Sequence, residues 1–149
     1  MNIRKIMTKD VIALDLKGQN KEEVIEELLD LLCSTGKVGN RKAAQKAILE
    51  REKKMSTGMQ NGIAIPHGKS DCVDSLVVAV GVHKEGIDFQ SLDQQPSHFF
   101  IMTISPANRT GPHIQFLAEV SRHLTDPDIQ QRILRASGPD AVIDILAAE

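Results

Sequence analysis

Five histidines are the residues of this chain best suited to chemistry near neutral pH, because imidazole acts there as acid, base or nucleophile without a large pKa shift. His67 stands in Ile65-Pro66-His67-Gly68-Lys69, directly after a short apolar run. Proline fixes the backbone before the ring, and glycine after it lets a bulky group approach the main chain. A residue just past the carboxyl end of a buried strand lies where open α/β sheets place their ligands. The same stretch also fits a surface turn, and the local pattern leaves both readings open. His113 shares a helical stripe with Phe116, Leu117 and Val120, so its ring should face the core. It falls in a first helical turn, where unpaired N–H groups favour an anion and disfavour a protonated ring. By itself that pattern reads more simply as a core histidine with a satisfied hydrogen bond. His83, beside Lys84-Glu85-Gly86, is expected to be a solvated turn residue; His98 opens a strand, and His123 lies near a helix end, where a cation is structurally favourable.

Other chemistries find no residues to carry them. No two histidines are four apart, and the sequence contains no HExxH, no Walker loop, no GxGxxG and no GxSxG. Cys33 and Cys72 each lack a CxxC partner, which excludes a disulfide framework or a zinc ribbon. Histidine-based group transfer survives: a neutral imidazole nitrogen is nucleophilic at pH 7 when the other nitrogen is held as an N–H donor. Composition agrees in what it excludes. A net charge of −2 removes the usual electrostatic case for nucleic acid or anionic lipid as partner. Four phenylalanines and no tyrosine or tryptophan argue against stacking platforms for bases or sugar rings. No run reaches the ~18 apolar residues of a membrane span, and no signal segment is evident, so a cytoplasmic protein with no direct membrane insertion is expected.

The elements that must hold these histidines follow from periodicity. At 149 residues, 41% apolar and 26% charged, the chain has the makings of one packed domain. Residues 11–16 suggest a first strand. Asn20, with Glu23 in capping-box spacing, opens a helix that Gly36 closes, and Asn40 caps a second over residues 40–53. Residues 63–65 read as a short buried strand that Pro66 must stop. Strands follow over 76–82 and 99–104, with Gly86-Ile87-Asp88-Phe89 starting a connection between them. Helices then begin near Pro112, at Asp126-Pro127 and at Ser137-Gly138-Pro139. Interleaved strands and helices favour a single α/β domain, a mixed, mostly parallel sheet with helices on both faces.

With these residues in place, Asn61-Gly62-Ile63-Ala64-Ile65-Pro66-His67, preceded by Leu49-Glu50-Arg51-Glu52 and Ser56-Thr57-Gly58, resembles the signature of the fructose/mannitol-type IIA domains of the bacterial phosphoenolpyruvate-dependent sugar phosphotransferase system. The likeness runs on through Lys21-Glu22-Glu23-Val24-Ile25-Glu26-Glu27-Leu28, Glu85-Gly86-Ile87-Asp88-Phe89 and the helix around His113, so residues 1–149 are expected to form one such domain. In that family the histidine of the Pro-His motif accepts a phosphoryl group from the phosphohistidine of the carrier HPr and passes it to a cysteine of a IIB domain. The resemblance therefore implies that His67 is phosphorylated, through Nε2 by analogy. It implies that Arg51, 16 positions earlier, supports the active site, and that His113, 46 positions later, contacts the phosphoryl group, which reverses the local reading of His113.

Those roles suit phosphoryl transfer, which needs mainly positioning and charge stabilisation. Arg51 can fork onto equatorial oxygens and His113 can donate from a helix start, so neither metal nor cofactor is called for. The sequence departs from the family pattern at Gly111-Pro112 before His113 and Ile114 after it, where relatives commonly carry a polar residue and leucine. Partners implied are HPr and a IIB domain of a sugar transporter, with no nucleic acid. Nitrogen-type relatives keep the same histidine and act as regulatory binding modules switched by phosphorylation, which is the alternative reading.

Overall fold

The computed structural model describes residues 3–109 and 111–148. A short helix α1 (Ile3–Ile6) and a 3-10 turn (Lys9–Val11) lead into strand β1 (Ile12–Ala13), shorter than the apolar run suggests. Helix α2 (Lys21–Cys33) starts where the sequence signals it. Asn20 accepts the Glu23 N–H at 2.9 Å, while Glu23 Oε1 reaches back to the Gln19 N–H at 3.2 Å, a capping box closed one residue early. Helix α3 (Arg41–Lys54) is capped by Asn40 in the same way. Strands β2 (Ile63–Ala64), β3 (His67–Lys69), β4 (Val77–Ile87) and β5 (Ser97–Ser105) follow. Helices α4 (Gly111–Leu124), α5 (Pro127–Leu134) and α6 (Pro139–Leu146) complete the chain, α5 capped by Asp126.

The strands order as β1-β4-β5-β2, with β3 also on β5. β4 and β5 are antiparallel, and the pairings β1 to β4, β2 to β5 and β3 to β5 are parallel. This is the mixed, mostly parallel sheet expected. Pro66 interrupts pairing without ending it: β2 stops at Ala64, the Pro66 carbonyl accepts the Thr103 N–H at 3.1 Å, and pairing resumes with His67 opposite Thr103. Pro66 has no N–H to give to β5, and the break between β2 and β3 falls at that residue. His67 thus begins a strand, where the sequence places it just past one.

Alternation along β4 and β5 sorts the core to two faces. Val78, Val80, Val82, Phe99 and Ile101 face a layer with Phe116, Val120, Val142 and Leu146 from α4 and α6. Val77, Ala79, Phe100, Met102 and Ile104 face Val24, Leu28, Leu32, Ala44 and Ile48 from α2 and α3. Helices therefore cover both faces, as expected. β4 runs five residues beyond the apolar stretch, with an irregularity between Val82 and Ile87 before the latter pairs with Ser97. His83 lies in that extension and is buried. Its Nε2 donates to the Gly18 carbonyl at 2.7 Å and its Nδ1 accepts from the Gly86 N–H at 3.0 Å. The expectation of a solvated turn histidine is corrected by these bonds.

Candidate active site

The end of β5 changes character on the face that meets α4. Phe99 and Ile101 are followed at the same two-residue period by Thr103 and Ser105, both fully buried. Buried hydroxyls require partners. His113 supplies them from the first turn of α4: its Nε2 lies 2.8 Å from Thr103 Oγ1 and its Nδ1 3.0 Å from Ser105 Oγ. The departure at Gly111-Pro112 does not displace the histidine, because proline is tolerated in a first helical turn. His113 is 4% exposed, and burial, followed by the neighbouring His67 and Lys69, pulls its pKa from 6.5 to about 4. At neutral pH it is an uncharged imidazole.

His67 sits opposite Thr103, so β3 carries it to the same end of the same sheet. Its ring meets His113 edge to face, centroids 5.4 Å apart and planes at 78°. The Nδ1 atom lies 2.8 Å from the Ile65 carbonyl oxygen. A carbonyl only accepts, so Nδ1 carries a proton, and in the neutral ring the lone pair is on Nε2. This is the tautomer that makes Nε2 a nucleophile.

Gly68 sets the height of this strand under α3. A Cβ there would lie 3.0 Å from the Ala47 carbonyl carbon and 3.1 Å from Ala47 Cβ and Ile48 N. Only glycine lets strand and helix approach so closely. Arg51 follows Ala47 by one helical turn, on the side of α3 that β3 meets. Its Nη1 donates to the Met55 carbonyl at 2.7 Å. The structure thus brings His67 and His113 into contact and places Arg51 on the adjoining helix, bonded to the loop that follows it.

Several residues of this region escaped the sequence reading. Thr103 and Ser105 were legible in principle as hydroxyls on one face of a buried strand. Glu52 and Thr57 were not, since a glutamate beside an arginine near a helix end resembles any solvated pair. Glu52 is 8% exposed and accepts both the Thr57 N–H, at 2.8 Å, and the Thr57 hydroxyl, at 2.6 Å. Among the described residues, no three His, Cys, Asp or Glu side chains gather as metal ligands would, and no helix is long and apolar enough to cross a membrane.

The chain as a whole is similar to known proteins. The chain is 38% identical over 146 residues to the fructose-specific EIIABC component of the phosphotransferase system of Bacillus subtilis, covering 98% of this chain but only 23% of that protein. It is 39% identical over 146 residues to the fructose-specific EIIA component of Haloferax volcanii, covering 98% of this chain and 95% of that one. Among solved structures, the nitrogen regulatory protein IIA-Ntr of Neisseria meningitidis superposes with a TM-score of 0.88 at 27% identity, covering 95% of this chain and 97% of that one. Enzyme IIAMTL of Escherichia coli, in complex with phosphorylated enzyme IIBMTL, superposes with a TM-score of 0.81 at 27% identity and the same coverage. Residues 5–149 match the family model described as phosphoenolpyruvate-dependent sugar phosphotransferase system, EIIA 2, and the chain belongs to that family.

Proposed function

We propose that this chain is a cytoplasmic phosphocarrier, in which His67 accepts a phosphoryl group from phospho-HPr and donates it to the IIB domain of a sugar transporter. The observation that carries this reading is the 2.8 Å contact of His67 Nδ1 with the Ile65 carbonyl, which puts a proton on Nδ1 and, in the neutral ring, leaves the Nε2 lone pair for phosphorus. As Nε2 forms its bond to phosphorus, the donor's P–N bond breaks and its electron pair stays on the donor imidazole. No proton need move, because His67 keeps its Nδ1–H throughout. A cysteine thiolate of the IIB domain then forms an S–P bond, and the electron pair of the broken P–N bond returns to Nε2.

Charge on the transferring group falls to Arg51 and His113. Arg51 spends one N–H on the Met55 carbonyl, and its remaining guanidinium donors fork onto equatorial oxygens. Thr103 and Ser105 can each donate to or accept from the ring, so His113 can carry its proton on Nε2; a phosphoryl oxygen is a stronger acceptor than a hydroxyl, and His113 in that tautomer exchanges Thr103 for it. Neither metal nor cofactor enters this reading, since these donors and the neutral nucleophile cover the charge. The likeness to two fructose-specific components at 38% and 39% identity favours transport of fructose. The superposition on IIA-Ntr supports the second reading, a regulatory module whose phosphorylation state controls partner proteins.

The test is incubation with phosphoenolpyruvate, the first-stage kinase and HPr, followed by a search for an acid-labile, base-stable phosphate. Wild type should be labelled and His67→Ala should not. Equal labelling of the two refutes the assignment, and transfer to no candidate IIB domain favours the regulatory reading.

A further inference from the structure

At the end of α3 lies a buried charged pair that the transfer reaction leaves unused. Lys21 Nζ sits 2.7 Å from Glu52 Oε1, with side chains only 12% and 6% exposed. The ammonium also reaches Gln90 Oε1 at 3.1 Å and Ser56 Oγ at 3.5 Å, and lies 4.8 Å from the centroid of the Phe89 ring. Burying such a pair costs desolvation that packed apolar residues would avoid, so stability alone is a poor account of it. The acceptors on Glu52 are used in a directed way. Both its oxygens hold Thr57, one through the backbone N–H and one through the hydroxyl.

Thr57 is the first residue of a hairpin whose second leg ends at the nucleophile. The Thr57 carbonyl accepts the Ile65 N–H at 3.0 Å, Gly58 bridges Ala64, and the Met59 N–H bonds the Ile63 carbonyl at 2.8 Å. Asn61 and Gly62 turn the hairpin with φ of 62° and 77°. The rung nearest His67 is therefore the one that Glu52 anchors, and Ile65, on that rung, presents its carbonyl to His67 Nδ1. A continuous set of bonds runs from the start of α2 through the end of α3 to the imidazole.

Building on the phosphocarrier reading, we propose that Glu52, held by Lys21, is a positioning residue for phosphoryl transfer: through Thr57 and Ile65 it fixes the carbonyl that keeps His67 in its Nε2-nucleophilic tautomer. It touches no reacting atom. Loosening this rung lets the Ile65 carbonyl drift and the imidazole proton redistribute between its two nitrogens, with a fraction of molecules then presenting N–H to phosphorus.

The test combines variants with a readout that needs no partner. Lys21→Met and Glu52→Gln are made together, so that neither charge is left orphaned; Thr57→Val removes the hydroxyl at constant volume and Thr57→Ser restores it. Two-bond nitrogen–proton correlations on the isolated protein report the His67 tautomer, and initial uptake from phospho-HPr reports transfer. Wild type and Thr57→Ser should show Nδ1–H alone. The double variant and Thr57→Val should show a mixture, with uptake roughly ten- to a hundredfold slower, the scale expected of small misplacements. Unchanged tautomers, or a changed tautomer with undiminished uptake, overturn the proposal. Should the double variant fail to fold, the Thr57 pair decides alone. If wild type takes no phosphoryl group, the phosphocarrier reading fails while the tautomer comparison still decides whether Glu52 positions His67.

Discussion

His113 makes the sharpest quantitative demand on this protein. Burial, then the neighbouring His67 and Lys69, holds its pKa at about 4, against 6.5 for an ordinary histidine. In the unfolded chain the ring is solvated and binds its proton near the ordinary value, so below that pH the unfolded state holds more protons than the folded one. Stability must therefore rise with pH between about 4 and 6.5. It is lost as pH falls through that window, with no further loss from this group below it. A full shift of that size corresponds to about 3 kcal/mol, of which about 2 kcal/mol lies between pH 7 and pH 5. Carboxylates titrate in the same region, so the clean measurement is a difference. His113→Gln keeps a side chain able to meet both hydroxyls and removes the titration. Urea unfolding should show the wild-type midpoint falling by about 1 M more than that of His113→Gln between pH 7 and pH 5. Parallel stability curves for the two proteins, or a His113 proton resonance titrating near 6.5, would refute the reasoning.

Two further substitutions probe the frame around the site. Gly68→Ala should cost about 1–3 kcal/mol by overpacking, because its Cβ would meet the α3 backbone at 3.0–3.1 Å; urea unfolding measures it, and an unchanged midpoint would show that β3 and α3 are not held in contact. Asn20→Ala removes the acceptor of the Glu23 N–H and should cost about 1 kcal/mol, or roughly 2–4 °C in Tm. Thermal unfolding that does not move would show that α2 does not depend on this cap.

How much of this was legible depended on the range of the interactions. The caps at Asn20, Asn40 and Asp126 are contacts within a few residues, and each helix starts where its signal stands. The β4 extension was not legible. Residues His83 to Ile87 are polar and glycine-bearing, and they are strand because the chain pairs again at Ser97 and because Gly18 offers a carbonyl from far along the sequence. His67 was recognisable from its motif, but its place in a strand follows from the parallel register with Thr103, which no local pattern encodes. The meeting of His67 with His113 has the same origin, since β3 and α4 both pack on β5.

That shared neighbour also explains why a buried, uncharged histidine suits the proposed transfer. A phosphocarrier must hold its cargo long enough to move between partners yet release it readily, so binding that favours the phosphorylated ground state works against the next step. A protonated His113 beside a phosphoryl dianion would form a strong ion pair in a dry site. The hydroxyls of Thr103 and Ser105 satisfy the ring without adding charge, and burial keeps it neutral. What remains is a ring held in place by two hydroxyls, with the positive charge of Arg51 bonded to the Met55 carbonyl. The absence of tyrosine and tryptophan is consistent with the same logic: in this reading the site handles a phosphoryl group passed between proteins, and the sugar, with its need for a stacking face, never enters it.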